Sequence, residues 1–338
     1  MEQPVILVTG GAGYIGSHTA KALADANCRP VVFDNLSNGH RAAVQWGPFV
    51  HGDVRDRAAL SATMRDHAVT AVIHFAGLIE VGDSMIRPDL YWDHNVGGMA
   101  AVLEAMRTCD VGHLVFSSTA AVYGAPQTDR ALREGDPTVP INPYCETKLA
   151  GERMIAAHCH AYGLSAYALR YFNACGADAS GRLGEAHAPE THLIPRAIEA
   201  ALGIGPSLAV NGNDFQTPDG TCVRDYVHVS DLADAHLRAA RQAPVPGRFT
   251  ALNLGTGVGS SVLEIIKGVD RAAQTRTPFG TGARRAGDPP RLVADPAAAA
   301  LALGWRANHS SLENILGSAV RWRRAPAFGL TGPFERAA

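Results

Sequence analysis

The chain has 338 residues, 46 % of them hydrophobic and 18 % charged, enough for one large domain or two ordinary ones around a sizeable core. With 30 Lys plus Arg against 32 Asp plus Glu, a formal charge of -2 offers no long-range attraction to a polyanion, so nucleic acid is not an expected partner. The six cysteines (28, 109, 145, 159, 175 and 222) include no Cys-x-x-Cys pair, which argues for free thiols and against a disulfide framework or a zinc site; no metal is expected.

The N-terminus carries Glu2 and Gln3 where a secretory signal would carry positive charge, and Pro4 to Val8 is too short and strand-like for its apolar segment. No run of 18 apolar residues occurs, so the expectation is a soluble cytoplasmic protein with no membrane span. Val5 to Thr9, Pro30 to Asp34, Ala71 to Phe75, His113 to Ser117 and Ala166 to Tyr171 read as strands separated by helix-length segments. That alternation predicts an α/β fold, a Rossmann-type doubly wound parallel sheet covered by helices on both faces.

After about Asn173 the rhythm breaks into Gly-, Pro- and Asn-rich stretches (Ala177 to Gly184, Asn211 to Thr221), with helical segments near His192 to Leu202 and Ser230 to Arg241. The expected division is a dinucleotide-binding domain over residues 1–175, to which 225–255 returns, and a smaller C-terminal α+β substrate-binding lobe over 176–224 and 256–338. Asp295, Pro296 and Gly304 have the order of N-cap, first-turn proline and C-terminal glycine around an Ala/Leu helix. Arg321-Trp322-Arg323-Arg324 reads as a solvated helix face.

Between the first strand and the first helix stands Thr9-Gly10-Gly11-Ala12-Gly13-Tyr14-Ile15-Gly16, with Gly10, Gly13 and Gly16 in a G-x-x-G-x-x-G spacing. Such glycines let backbone N–H groups at a helix start approach a pyrophosphate, where the helix dipole favours negative charge. The second strand ends at Asp34, 18 residues beyond Gly16, where a carboxylate accepts from a ribose and repels a 2′-phosphate; NAD is favoured over NADP. Gly52-Asp53-Val54 and Phe75-Ala76-Gly77 follow strands and face the same crevice, though Asp53 is as well placed to cap the next helix as to touch adenine.

Tyr144-Cys145-Glu146-Thr147-Lys148 puts a phenol and an ammonium four residues apart on one helix face. A phenol titrates near ~10, and a neighbouring Lys with a positive nicotinamide would lower that value, making Tyr144 a base near neutral pH. Ser117-Ser118-Thr119, at the end of the preceding strand, supplies hydroxyls to orient a substrate alcohol. Base, orienting hydroxyl and nicotinamide are what hydride transfer from an alcohol requires.

Taken together these residues resemble the extended short-chain dehydrogenase/reductases and, within them, the UDP-glucose (UDP-galactose) 4-epimerases. The segments that carry the resemblance are VTGGAGYIGSH, FDNLSNGHR, VIHFAGLIEVGDS, FSSTAAVYG, NPYCETK, LRYFNACGA, TPDGTCVRDYVHVSDLADAH, NLGTGVGSSV and RRAGDPP, Pro218 to His236 being the most specific. The resemblance implies that Gly10, Gly13, Tyr14, Ile15, Asp34, Asn35, Asp53, Val54, Phe75, Ala76, Asn95, Lys148 and Phe172 line the NAD, beside Gly16, Gly77, Ser117 and Tyr144. It makes Tyr144 the base, with Lys148 beside it and Thr119 bridging to the sugar. It also sets Asn173, His192, Leu193, Asn211, Arg224, Arg285 and Asp288 around the UDP-sugar, the two arginines on its diphosphate. The implied reaction inverts C4 of a UDP-hexose through a transient 4-keto sugar, and the implied assembly is a homodimer through segments Ser84 to Met106 and Pro143 to His160.

Three positions depart from the best-known bacterial pattern: Ile79 replaces a lysine, Asn211 an aromatic beside the uracil site, and Leu292 a tyrosine that gates the sugar pocket. Loss of that tyrosine's bulk would admit an N-acetyl group. UDP-pentose and UDP-N-acetylhexosamine 4-epimerases therefore stay open as alternatives, as does, from another class, a non-catalytic NAD-binding sensor. A 4,6-dehydratase is disfavoured because Thr119 precedes Ala120-Ala121, which cannot do acid-base work.

Overall fold

Apolar runs with no polar alternation form strands buried on both faces, and here they build a seven-stranded parallel sheet. The computed structural model describes residues 3–126, 128–285 and 287–329. In chain order the strands are β1 (Val5–Thr9), β2 (Arg29–Asp34), β3 (Phe49–His51), β4 (Ala71–His74), β5 (His113–Thr119), β6 (Ser165–Tyr171), β7 (Asn173–Cys175), β8 (Leu208–Asn211), β9 (Val223–His228), β10 (Phe249–Leu254), β11 (Gly259–Ser261), β12 (Phe279–Gly282) and β13 (Arg291–Leu292). The large sheet runs β10-β6-β5-β4-β1-β2-β3, so the strand order reverses between β1 and β4, where doubly wound sheets open a ligand crevice.

Successive residues of β1 serve opposite faces. Leu7 packs with Phe33, Val72, Leu114 and Phe116 against helices Arg57–Asp66, Gly98–Thr108 and Pro143–Tyr162. Ile6 and Val8 pack with Ile73, Val115 and Leu169 against helices Tyr14–Asp25, Val229–Ala240 and Ala297–Leu303. Leu7 is wholly buried, so truncating it to Ala would cost about 2–5 kcal/mol through lost burial and the cavity left behind.

A second sheet joins β7, β11 and β13 to β9, and β8 pairs with β12. Helices Leu193–Leu202, Val262–Ala273 and Leu312–Arg324 cover this part with a separate core that includes Ile198, Ile265, Val269 and Leu316. Buried carboxylates hold its joints. Asp225 accepts from Thr256 N (2.9 Å), Gly257 N (3.0 Å) and Ala294 N (3.2 Å), and Asp231 accepts from His309 N (2.9 Å) and Ser310 Oγ (2.5 Å). Much of the Pro218 to His236 stretch is thus internal bracing.

Three local expectations change. Ser84 to Met106 is not continuous: short helices Val81–Ser84 and Pro88–Tyr91 lead into a π-helical turn Trp92–Gly97 before Gly98–Thr108. Pro88, lacking an N–H, starts a helix and cannot continue the one before it. The Ala/Leu helix starts one residue later than its punctuation suggests: Pro296 occupies the N-cap position, and Asp295 Oδ1 reaches forward to Ala297 N at 3.1 Å. Arg321 to Arg324 is only partly solvated, because Trp322 and Arg323 are buried and Arg323 pairs with Glu199. The six cysteines are free thiols, and among the described residues no helix is long and apolar enough to cross a membrane.

Candidate active site

The carboxyl ends of β1, β2, β4, β5 and β6 open into one cleft of about 760 Å³ that reaches across to β7 and the start of helix Leu193–Leu202. Its floor is the start of helix Tyr14–Asp25, and no side chain caps that start at Gly13. The first-turn N–H groups are therefore free to meet an anion. Gly10 has φ of 70°, and a Cβ there would lie 2.6 Å from Ala76 N; a Cβ on Gly16 would overlap the Gly10 carbonyl. Gly13 is less crowded, meeting only Gly10 O at 3.3 Å, and it lines the cleft, so its missing side chain leaves room for a ligand. These residues fit a dinucleotide diphosphate.

Tyr14, Ile15, Asp34, Asn35, Val54, Phe75, Ala76, Gly77, Ser117 and Phe172 also line the cleft. Asp34 accepts from Ala12 N (3.0 Å) and Leu36 N (2.8 Å), and burial pushes its pKa up despite these bonds. It thus shapes the glycine turn from within the cleft lining. Asp53 and Asn95, expected at the cofactor, stand behind the lining. Asp53 is held by Arg55 and by Asn35 (3.2 Å), and the Arg55 hydrogen bonds depress its pKa far below the carboxylate range. Asp56 caps the following helix in its place, accepting from Ala59 N at 3.0 Å. Asn95 accepts from Leu78 N (2.8 Å) and donates to Leu78 O (3.1 Å) and Thr147 Oγ1 (3.0 Å), which fixes the Gly77-Leu78 turn.

Helix Pro143–Tyr162 begins where Asn142 accepts from Cys145 N at 3.0 Å and Pro143 takes the first turn, a position that needs no N–H. Its first two turns bring Tyr144 and Lys148 to the cleft beside Thr119 and Ser117 of β5. Lys148 donates to Ser117 O at 2.9 Å and lies 5.1 Å from the Phe116 ring centre; burial lowers its pKa to about 8. Tyr144 is governed first by its packing. Burial, then Tyr171 and Cys145, drive its pKa upward, opposed by the Thr119 hydroxyl. The phenol is thus held protonated by the protein alone, and a cationic ring in the cleft is what would favour the phenolate.

The three hydroxyls of Ser117, Ser118 and Thr119 separate in role. Ser117 pairs with Tyr171, Ser118 donates to buried Glu152 at 2.5 Å away from the cleft, and Thr119 lines the cleft while accepting from Ala121 N at 3.1 Å. Tyr171, at the end of β6, carries no signal of a site role in the sequence, where it reads as strand core.

The expected substrate residues form two groups. Asn173, His192 and Leu193 line the cleft. Asn211, Arg224, Arg285 and Asp288 do not, and instead engage one another: Arg224 pairs with Asp288, Arg285 donates to the Asn211 amide oxygen at 3.1 and 3.2 Å, and Asp288 N bonds to Arg285 O at 3.3 Å. Ile79 lines the cleft rim, and Leu292 packs on the cluster containing Phe172 and Leu149. The cleft wall also holds Glu185 and His187 with His192, a grouping that sequence reasoning missed although Glu-x-His-x-x-Glu-x-His is compact in the chain. Burial disfavours charge on His192, but Glu185 and Glu190 outweigh it and hold its pKa well above the usual value.

A glycine-turn dinucleotide cleft at the switch point of a parallel sheet, with a tyrosine and lysine on one helix turn, defines a nicotinamide-dependent enzyme of the short-chain dehydrogenase/reductase type. Residues 6–255 match the NAD dependent epimerase/dehydratase family. A UDP-glucose 4-epimerase of Rhizobium leguminosarum bv. trifolii is 48% identical over 322 residues, 95% of this chain and 98% of that protein. A crystal structure of UDP-glucose 4-epimerase from Brucella ovis in complex with NAD superposes with a TM-score of 0.91 at 50% identity, covering 97% of this chain and 99% of that one. One from Bifidobacterium longum in complex with NAD+ and UDP gives 0.91 at 35% identity, covering 96% and 100%. The chain belongs to the NAD dependent epimerase/dehydratase family, and its activity is NAD-dependent epimerisation at C4 of a UDP-hexose.

Proposed function

We propose that Tyr144 is the acid-base residue of this epimerisation, that Thr119 orients the sugar O4 and that Lys148 sets the field around both. The observation that carries the assignment is their convergence on one wall of the cleft whose floor is the uncapped glycine turn. When bound, NAD accepts a hydride from C4 and returns it to the opposite face of the 4-keto sugar. The chain's part is to take the O4 proton onto Tyr144, hold O4 at Thr119, and hand the proton back after the sugar has turned. Lys148 is buried and Tyr144 half-buried, which limits the access of water to both during this exchange.

In this reading Gly10, Gly13, Tyr14, Ile15, Gly16, Asp34, Asn35, Val54, Phe75, Ala76, Gly77, Ser117 and Phe172 contact NAD, while Asp53 and Asn95 support them from behind. Asn173, His192 and Leu193 face the sugar nucleotide, and Arg224 and Arg285 turn from Asp288 and Asn211 to its diphosphate. The dinucleotide domain is residues 1–175 with 225–255, and 176–224 with 256–338 is the substrate lobe. Exposed Met85 and Ile86, with Trp92 at the start of the π-helical turn that packs on helix Pro143–Tyr162, support a homodimer through this side.

Tyr144→Phe tests the base assignment. It is expected to lower turnover by about 10²–10⁴-fold while NAD released on denaturation stays at the parent's level. A variant as active as the parent removes Tyr144 from the role.

A further inference from the structure

Glu185, His187, Glu190 and His192 come from one eight-residue loop and turn one ligand atom each to a common point, all four lying within 4.8 Å of one another. Glu185 Oε1 is 2.7 Å from His192 Nδ1 and 3.3 Å from His187 Nδ1; Glu190 Oε1 is 3.3 Å from His192 Nδ1, and its Oε2 is 3.9 Å from His187 Nδ1. A tetrahedral ion with bonds of about 2.0–2.1 Å separates its ligand atoms by about 3.3–3.4 Å, which these separations bracket. Glu190 Oε2 and His187 Nδ1 are buried and make no hydrogen bond, although the Glu190 side chain is only 5% exposed. Native proteins seldom leave such atoms without a partner.

The charges point the same way. Buried Arg323 lies 3.9 Å from Glu190 Oε2 but pairs with Glu199, so three carboxylates face one guanidinium. Protonated His192 offsets one of the two remaining negative charges; once both imidazoles are neutral, as an ion requires, two are left, the amount a divalent cation cancels. The loop is braced from outside and from within. Trp322 Nε1 donates to Glu185 O at 2.8 Å, and Glu190 Oε1 accepts from Thr191 N and His192 N, both at 2.9 Å. Two imidazoles with two carboxylates suit zinc or a similar first-row transition ion, whereas magnesium and calcium prefer oxygen alone.

We infer that Glu185, His187, Glu190 and His192 bind a divalent transition-metal cation of the zinc class on the wall of the cleft. Glu185, His187 and His192 line that cleft, so the four-ligand site stands on the wall that faces the sugar nucleotide. Binding displaces the proton that His192 otherwise holds against Glu185, and the imidazolium is the ion's competitor for the site. The test needs no turnover: tag-free, chelator-treated protein with its NAD retained is titrated with Zn2+ by calorimetry and with Co2+ by visible absorption. The expected result is one equivalent bound at micromolar affinity or tighter, Co2+ ligand-field bands of tetrahedral intensity, and at least tenfold weaker binding in both His187→Ala and Glu190→Gln. Binding unchanged in both variants, or no stoichiometric binding to the parent, overturns the site. If either variant fails to fold, the parent's Co2+ spectrum decides: its bands support the site, and their absence removes it.

Discussion

The Lys148 ammonium donates to the Ser117 carbonyl at 2.9 Å with both residues buried, so the lysine of the Tyr-x-x-x-Lys turn pins its own helix to the end of β5. The charge is held where water cannot solvate it, and that cost is reflected in a pKa lowered to about 8 from 10.5.

Lys148→Met should therefore inactivate the enzyme and yet not weaken the fold at neutral pH. A fall from 10.5 to about 8 corresponds to about 3 kcal/mol of penalty on the charged form, which offsets the ~1.5–3 kcal/mol of the charge-assisted hydrogen bond that the variant loses. The sign follows from linkage. Below pH 8 the lysine is charged in both states and the native state bears the full penalty; between about 8 and 10.5 the native state sheds its proton first and the penalty fades. Denaturant unfolding at matched NAD should show the variant no less stable than the parent at pH 7 and losing ground to it toward pH 10; a variant several kcal/mol less stable at pH 7 would contradict this.

Deeper along the same helix, Glu152 accepts from Arg170 Nε (2.9 Å) and Nη2 (2.6 Å) and from Ser118, while Arg170 also donates to Tyr123 (3.0 Å). Glu152→Ala leaves a buried guanidinium without its carboxylate, and a loss of about 3–5 kcal/mol is expected in urea unfolding. Unaltered stability would mean that the network contributes little to anchoring the base.

Arg224 is bonded to Asp288 and to the Val223 carbonyl, outside the cleft lining. If it swings to the diphosphate, Arg224→Leu should raise KM for UDP-galactose about 10–100-fold with kcat little changed, and Arg224→Lys should recover only part, because an ammonium lacks the bidentate fork. An unchanged KM would confine Arg224 to a structural pairing.

Leu292 sits against the cluster of Phe172 and Leu149 where a gating tyrosine would be bulkier. The protein should convert UDP-N-acetylglucosamine, and Leu292→Tyr should suppress that conversion while sparing UDP-galactose. UDP-N-acetylglucosamine that is neither converted nor inhibitory at millimolar concentration ends the relaxed-specificity reading.

What the sequence makes legible is what local spacing dictates. The glycines at 10, 13 and 16, Asp34 at its strand end and the Tyr144-Lys148 turn each depend on neighbours within one strand-turn-helix unit. Relations made by folding are not legible. Asp53 reads equally as a helix cap and an adenine contact until Arg55 and Asn35 claim it, Arg323 reads as solvated until Glu199, 124 residues away, meets it, and Arg285 reads as a diphosphate ligand until Asn211 appears beside it. Burial has the same character: the rise in the Tyr144 pKa comes from packing that no four-residue spacing encodes.

Epimerisation at C4 of a UDP-hexose, and the proposal that NAD stays bound through the cycle, are open to direct measurement. Purified protein is incubated with UDP-galactose without added NAD, and UDP-glucose is followed by chromatography. Steady formation of UDP-glucose to an equilibrium mixture is the predicted result; no conversion, even after NAD is supplied, would contradict it.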